Sequence, residues 1–236
     1  MAQHLSGEIP LEIAFVEKVA RIIQELDKHY GKKVWSRWRE PVDELVRTIL
    51  SQNTTDKNSL RAFANLKKRF ETWEELLQAD EEDIIQEIKS GGLANIKARK
   101  IKGCLTEIKK REGRIDLEIL AKKPVPEALD YLLSLDGVGP KTAACVLIFS
   151  FNSPILPVDT HIHRLSNRLG IVQTNSRGKT QELLQKIIPD KDKYSFHLNL
   201  IEHGRKVCKS QKPLCFDCFL RELCSYYQNL QPGTPS

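Results

Sequence analysis

Apolar residues recur along this chain at steps of three and four, the spacing of one face of an α-helix. The stripe from Ile13 to Leu26 predicts a helix over residues 11–29. Comparable patterns predict helices at 42–50, 57–70, 72–79, 80–90, 128–135, 141–151, 160–169, 176–188 and 192–203, with Gly204 ending the last. We therefore expect an all-α protein.

A glycine turn separates two of these helices, in the stretch LDGVGPKTA that begins at Leu135. Gly137 and Gly139 flank Val138, and glycine lets a backbone turn tightly while its amides approach another molecule. Pro140 suits the first turn of the next helix. The pattern predicts a helix-hairpin-helix whose turn amides and helix N-terminus bind phosphate. A P-loop requires a different glycine spacing after a strand.

Two chemically active side chains lie close to this turn in the sequence. Lys141 falls in the first turn of the second helix, and Asp159 precedes residues 160–169, where it suits an N-cap. A deprotonated amine can attack a sugar carbon, and a carboxylate can accept a proton or stabilise a developing cation. From these residues alone a second interpretation stays open, in which Lys141 only contacts phosphate and Asp159 only caps a helix.

The stretches LDGVGPKTA and PVDTH together resemble the helix-hairpin-helix and Gly/Pro-Asp signature of the endonuclease III family of DNA glycosylases, from about Glu44 to Tyr227. The resemblance implies that Lys141 and Asp159 are catalytic. It implies a bifunctional base-excision-repair glycosylase and AP lyase. Such an enzyme removes a damaged base, here expected to be an oxidised pyrimidine, and cuts the strand 3′ to the abasic site by β-elimination. A monofunctional member is expected to lack the lysine. His161 matches a family position near the pocket.

The polar loop SQNTTDKN, residues 51–58, has no packing purpose visible in the sequence. In the family a similar loop faces the damaged nucleotide. Asp56 matches the family aspartate, and Asn53 stands where the family has glutamine. Both residues are expected to contact DNA. The alternative is a loop that only caps the next helix through Thr55.

A second turn, GGLANIKARKIKG, begins at Gly91. Leu93 matches the side chain that the family inserts into the duplex, and Ala94 replaces the aromatic residue that follows it. The basic residues after the turn predict a second element that binds the DNA backbone; they are Lys97, Arg99, Lys100 and Lys102. The alternative is an ordinary Gly-Gly helix end followed by a solvated basic helix.

Four of the six cysteines lie in the last thirty residues with the spacing C-x6-C-x2-C-x5-C; they are Cys208, Cys215, Cys218 and Cys224. Four thiolates can hold zinc or an iron-sulfur cluster, and spacing alone leaves both open. The resemblance implies a [4Fe-4S] cluster. Cys104 and Cys145 fall on helices and are interpreted as buried thiols.

Composition adds modest support for a polyanionic partner, because 37 Lys and Arg exceed 31 Asp and Glu and the net charge is +6. No apolar run approaches the roughly 18 residues that span a bilayer, and the N-terminus lacks an export signal. We expect a monomer in the cytoplasm of a prokaryote, associated with the nucleoid and not with a membrane. Its expected partner is double-stranded DNA with a damaged base or an abasic site.

Two lobes are expected. Residues 34–153 form a helical barrel with the hairpin, and residues 1–33 with 154–236 form a discontinuous domain that carries the cluster loop, so that the hairpin and Asp159 meet at a cleft. Trp35 and Trp38 are interpreted as core anchors rather than base-stacking platforms. A non-enzymatic DNA-binding module and a monofunctional mismatch glycosylase remain alternatives.

Overall fold

The computed structural model describes residues 11–230. Within this range the chain forms twelve α-helices joined by loops and short 3-10 turns, with no strand, so the all-α expectation is confirmed. The helices are α1 Leu11–Tyr30, α2 Pro41–Leu50, α3 Asp56–Arg69, α4 Trp73–Gln78, α5 Glu81–Ile88, α6 Ala94–Glu112, α7 Val125–Leu133, α8 Pro140–Phe151, α9 Thr160–Arg168, α10 Arg177–Ile187, α11 Lys193–Lys206 and α12 Ser225–Gln228.

The chain forms two compact units. Among the described residues, the central unit spans 35–157 and the terminal unit combines 11–34 with 158–230. The sequence predicted a central lobe of residues 34–153. The cluster that it also predicted for the other lobe stays a prediction. None of the helices within residues 11–230 is long and apolar enough to cross a membrane.

Helix α8 is the core of the central unit. Residues from Thr142 to Ile148 are all buried, and α2 and α7 pack against it. A helix that is apolar on all sides is stable only when neighbours cover it, and each fully buried aliphatic side chain contributes roughly 1.5–3 kcal/mol. The first turn of α8, which carries Lys141, is therefore anchored on a helix that is buried along most of its length.

The terminal unit is built around α11, which packs against α1 and α9. Asp27 Oδ1 on α1 accepts hydrogen bonds from Ser195 Oγ at 2.6 Å and Asn199 Nδ2 at 2.9 Å on α11. The prediction that Gly204 ends this helix is wrong, because α11 continues to Lys206. A Cβ on Gly204 would lie 2.8 Å from His161 Nδ1, so the glycine permits close packing of α9 on α11.

Helix caps and the two tryptophans near residue 36 have mixed outcomes. Thr55 caps α3, accepting from Asn58 N, and Thr72 caps α4, accepting from Glu75 N, whereas Asp80, which precedes α5, makes no side-chain capping bond. The core interpretation is wrong for Trp38, which is 70% exposed. Trp35 is half-buried, and its Nε1 donates to the Phe149 carbonyl at 3.1 Å.

Candidate functional site

The hairpin turn joins α7 to α8 in the central unit. Val138 is buried, and its amide donates to the Leu135 carbonyl at 3.1 Å. Val138 therefore anchors the turn with both its side chain and its N–H, and its expected contact with DNA stays a prediction. Gly139 is exposed, and the helix N-terminus that follows it leaves N–H groups without intrahelical acceptors. The solvent-facing part of the turn is thus Gly139 and the start of α8.

Gly137 is the residue on which other segments converge. Its φ of +79° lies in the left-handed region that favours glycine, and a Cβ there would lie 2.6 Å from Lys100 Cδ. Gln52 Nε2 donates to the Gly137 carbonyl at 3.3 Å, and Cys104 Sγ donates to the Asp136 carbonyl at 3.2 Å. The turn is therefore supported by α6 and by the polar loop.

The Cys104 thiol is buried, as the sequence interpretation expected for both helical cysteines. Burial, with the nearby Asp136 carboxylate, raises the pKa of Cys104 to about 12. The thiolate is the nucleophilic form of cysteine, so this side chain is inert at neutral pH and acts in packing.

The polar loop lies between α2 and α3. Thr55 caps α3, and Asp56, its first residue, is exposed. Asn53 is exposed with φ +52°, a backbone region that asparagine tolerates better than most residues. Gln52 is a further residue of this loop that sequence patterns did not distinguish. Its position directly after an apolar helix was the available signal, but its partner Gly137 is 85 residues away.

The second turn places Leu93 at the surface, 51% exposed, on a backbone with φ +53°. A leucine in this left-handed region costs about 1–3 kcal/mol and persists only where its surroundings hold it. Gly92 precedes it with φ +68°. An apolar side chain is thus presented to solvent by a strained turn.

The basic residues after this turn do not share one role. Lys97 is 2% exposed, and its Nζ donates to the carbonyls of Leu50 and Gly91, both at 2.8 Å. The prediction that Lys97 grips a DNA backbone is therefore wrong, because it lies on the same helical face as the buried Ile101. Lys102 Nζ donates to the Ala79 carbonyl at 2.6 Å. Arg99 remains exposed, 3.5 Å from Glu81.

Asp159 is the N-cap of α9 in the terminal unit, as predicted. Its Oδ1 accepts from the Ile162 amide at 2.8 Å, and buried Val158 and Ile162 hold the backbone on either side. The carboxylate is half-buried. The first turn of α9 stabilises a negative charge here, because its N–H groups and dipole point toward the carboxylate.

Three further side chains of α9 contact α11 and the chain beyond it. The His161 ring lies against Gly204 and 3.2 Å from Arg164 Nη2, so part of it is used in packing. Arg164 Nη2 also donates to the carbonyls of Gly204 at 3.2 Å and Cys208 at 2.9 Å. Arg168 Nη1 donates to the Lys209 carbonyl at 2.7 Å. The two arginines therefore share one helical face, as residues four apart on an α-helix do.

The four C-terminal cysteines line one cavity of the terminal unit together with α9 residues such as Leu165. All four are free thiols. Burial and the three neighbouring cysteines raise the pKa of Cys218 to about 11, and burial also raises the pKa of Cys215 and Cys224. Such a cluster of sulfurs in a low-dielectric site favours a cationic group that holds them as thiolates.

Other groups lie against these sulfurs. His203 Nε2 is 3.5 Å from Cys218 Sγ, and Arg168 Nη1 is 3.4 Å from Cys208 Sγ. Within residues 11–230, no three His, Cys, Asp or Glu side chains are arranged to hold a single metal ion. The four thiols that share this cavity form a donor set that suits a thiophilic metal centre, either zinc or an iron-sulfur cluster.

Comparisons with known proteins show which family the chain resembles. The family description "HhH-GPD superfamily base excision DNA repair protein" matches residues 46–190. Endonuclease III of Thermotoga maritima is 39% identical over 214 residues, covering 90% of this chain and 96% of that protein.

Solved structures show the same likeness. A structure described as a trapped endonuclease III-DNA covalent intermediate has a TM-score of 0.77 and 29% identity, covering 91% of this chain and 98% of that one. A thermostable thymine-DNA glycosylase has a TM-score of 0.75 and 24% identity, covering 92% and 99%. The second likeness shows the fold alone.

Proposed function

Because the chain belongs to the endonuclease III family of the HhH-GPD superfamily, we propose that Lys141 and Asp159 carry its catalysis. It is a DNA glycosylase and AP lyase of base excision repair. The observation that carries the residue assignment is a lysine in the first turn of α8, directly after the glycine hairpin. The proposed substrate is a duplex with an oxidised pyrimidine or an abasic site.

In the proposed reaction, the neutral Lys141 amine attacks C1′ of the damaged nucleotide. A C1′–Nζ bond forms, and the C1′–N bond to the base breaks with its electron pair leaving on the base. The nitrogen electron pair then forms a C1′=Nζ Schiff base as the C1′–O4′ bond breaks, and O4′ takes up a proton. Removal of a C2′ proton expels the 3′ phosphate by β-elimination, which cuts the strand.

Asp159 has two roles in this proposal. Its carboxylate accepts the proton that Lys141 loses and stabilises the positive charge that develops on the sugar. The hydrogen bond from the Ile162 amide keeps one oxygen in place, so the carboxylate is oriented before substrate arrives. A preorganised charge of this kind lowers the barrier without reorganisation during the reaction.

DNA is held mainly through its phosphates. The exposed Gly139 and the N-terminus of α8 offer N–H groups to a phosphate, and Leu93 offers an apolar wedge. Asn53, Asp56 and His161 are proposed to face the extruded nucleotide or the space it leaves. Extrusion is necessary because the attacked carbon is inaccessible in a stacked duplex.

The cysteine cavity is proposed to hold a [4Fe-4S] cluster ligated by Cys208, Cys215, Cys218 and Cys224. Four free thiols around one cavity support this proposal. When bound, the cluster cross-links the C-terminal segment, because ligation by four cysteines restrains residues that contain little helix. The alternative occupant is a tetrahedral zinc ion.

Borohydride trapping tests the catalytic assignment. The parent protein is expected to form a covalent adduct with abasic DNA in borohydride, since borohydride reduces the Schiff base. Lys141→Gln keeps a polar side chain but removes the amine, so it should lose trapping and strand cleavage. Lys122→Gln, which replaces an exposed lysine of the same unit, is the matched control and should behave as the parent.

The same experiment separates the other functions. A glycosylase that uses water as nucleophile would release a base without efficient trapping, and a binding module would do neither. Trapping by Lys141→Gln at the parental rate would show that another amine is the nucleophile.

A further inference from the structure

Lys97 is a buried cation that the proposed reaction does not use. Its side chain is 2% exposed, and its recorded partners are the carbonyl oxygens of Leu50 and Gly91, both 2.8 Å from Nζ. Burial in this site lowers the pKa of Lys97, because it disfavours the charged form. An apolar side chain of similar size would fill this space without that cost. What the amine supplies, and an apolar side chain could not, is the two hydrogen bonds that it donates.

The first bond holds the C-terminal end of α2. Leu50 is the last residue of this helix, so its carbonyl lacks an intrahelical partner, and a cation there also complements the helix dipole. The polar loop begins at the next residue. Gln52 of that loop donates to the Gly137 carbonyl of the hairpin turn at 3.3 Å. The position of the C-terminal end of α2 therefore influences the position of the polar loop and, through Gln52, its contact with the hairpin.

The second bond holds the turn that presents Leu93. Gly91 lies two residues before Leu93, at the end of a 3-10 turn. The position of a Gly91 Cβ would be 3.9 Å from both the Leu50 carbonyl oxygen and Lys97 Nζ, so the two backbone segments pass close together at the amine. The left-handed backbone of Leu93 needs such support, because strained residues persist only where their surroundings restrain them.

We propose that Lys97 is a positioning residue that clamps the Leu93 turn to the C-terminal end of α2, so that the wedge and the polar loop enter the duplex as one rigid element. This inference rests on the proposed function, in which Leu93 wedges the duplex open. Loss of the clamp affects the opening of paired DNA. It affects reaction with an abasic site in a single strand much less, because no duplex has to be opened there.

The test compares trapping of an abasic site in a duplex with trapping of the same site in a single strand. The proteins are the parent, Lys97→Met, Lys97→Arg, Leu93→Ala and the Lys97→Met/Leu93→Ala double variant. A 2-aminopurine opposite the abasic site reports unstacking by its fluorescence. Lys97→Met is expected to lower the duplex-to-single-strand ratio by about tenfold and to reduce the fluorescence increase.

The double variant should lose less than the sum of the two single losses, since much of the effect of Lys97→Met is exerted through the Leu93 wedge. Lys97→Arg retains a charged donor and should stay closer to the parental ratio than Lys97→Met; it also serves if Lys97→Met does not fold. An unchanged ratio in Lys97→Met, additive losses in the double variant, or a ratio for Lys97→Arg as low as that of Leu93→Ala would overturn the inference. A parent that traps neither substrate would instead refute the proposed function.

Discussion

Two glycines two residues apart in the hairpin turn have different physical roles. Gly137 needs its missing side chain for the fold, because its φ is +79° and Lys100 occupies the space beside it. Gly139 has an extended backbone with φ −93°, and a Cβ there would meet no atom within 4 Å. Any requirement for glycine at 139 therefore comes from a ligand that approaches the turn.

This difference gives a paired prediction. Gly137→Ala should lower the free energy of unfolding by about 1–3 kcal/mol, because the new side chain is strained and crowded. Gly139→Ala should change it by less than about 0.5 kcal/mol, as at an exposed site, while weakening binding to abasic duplex. Urea denaturation and fluorescence anisotropy measure the two effects. Parental DNA binding by Gly139→Ala would remove this residue from the DNA interface.

At the scale of single elements, α9 shows how one residue serves both a helix and a reaction. Asp159 caps the helix through an oxygen that accepts from Ile162 N. Asparagine can make the same bond with its side-chain carbonyl, whereas alanine cannot. The cap and the charge can therefore be removed separately.

Asp159→Asn should keep the stability of the parent but slow base release by at least about tenfold. A tenfold loss corresponds to only about 1.4 kcal/mol of transition-state stabilisation, which is a small contribution for a preorganised carboxylate. Asp159→Ala should slow base release as well and lower the free energy of unfolding by about 1 kcal/mol through the lost cap. Denaturation curves and single-turnover kinetics measure these effects. Equal activity of Asp159→Asn and the parent would leave Asp159 with the capping role alone.

At the scale of the whole molecule, the net charge of +6 predicts salt-dependent binding. Each phosphate neutralised contributes about −0.9 to the slope of log affinity against log salt concentration. Replacing the exposed Arg99 with Gln should make this slope less steep by about one unit. Lys97→Met should leave the slope unchanged because Lys97 is buried away from phosphates. The opposite pattern would mean that Lys97 becomes exposed when DNA binds.

The cysteine cavity predicts the metal content of the protein. Protein purified anaerobically should contain iron and sulfide and show broad absorbance at about 400 nm, as thiolate-bound clusters do. Cys224→Ser should lose iron and stability, while Cys104→Ser, at a thiol outside the cavity, should retain the iron. Zinc without iron in the parent would show that the site is a structural zinc site.

The sequence by itself determined the features that depend on neighbouring residues. Helix positions, the glycine turn, the caps Thr55 and Asp159, and the grouping of four cysteines all follow from patterns within a few turns of chain. Such features are predictable because a side chain, its backbone partner and the helical period lie within a short segment.

Only the tertiary structure decided which side chains are enclosed and by what. Lys97 looked like a phosphate contact but is buried, because its helical face packs inward and two distant carbonyls receive its amine. Gly204 was predicted to end a helix, but it allows His161 to pack closely against α11. Gln52 is positioned by its hydrogen bond to the Gly137 carbonyl. These outcomes depend on residues far apart in sequence, whose proximity is created by packing of the whole unit.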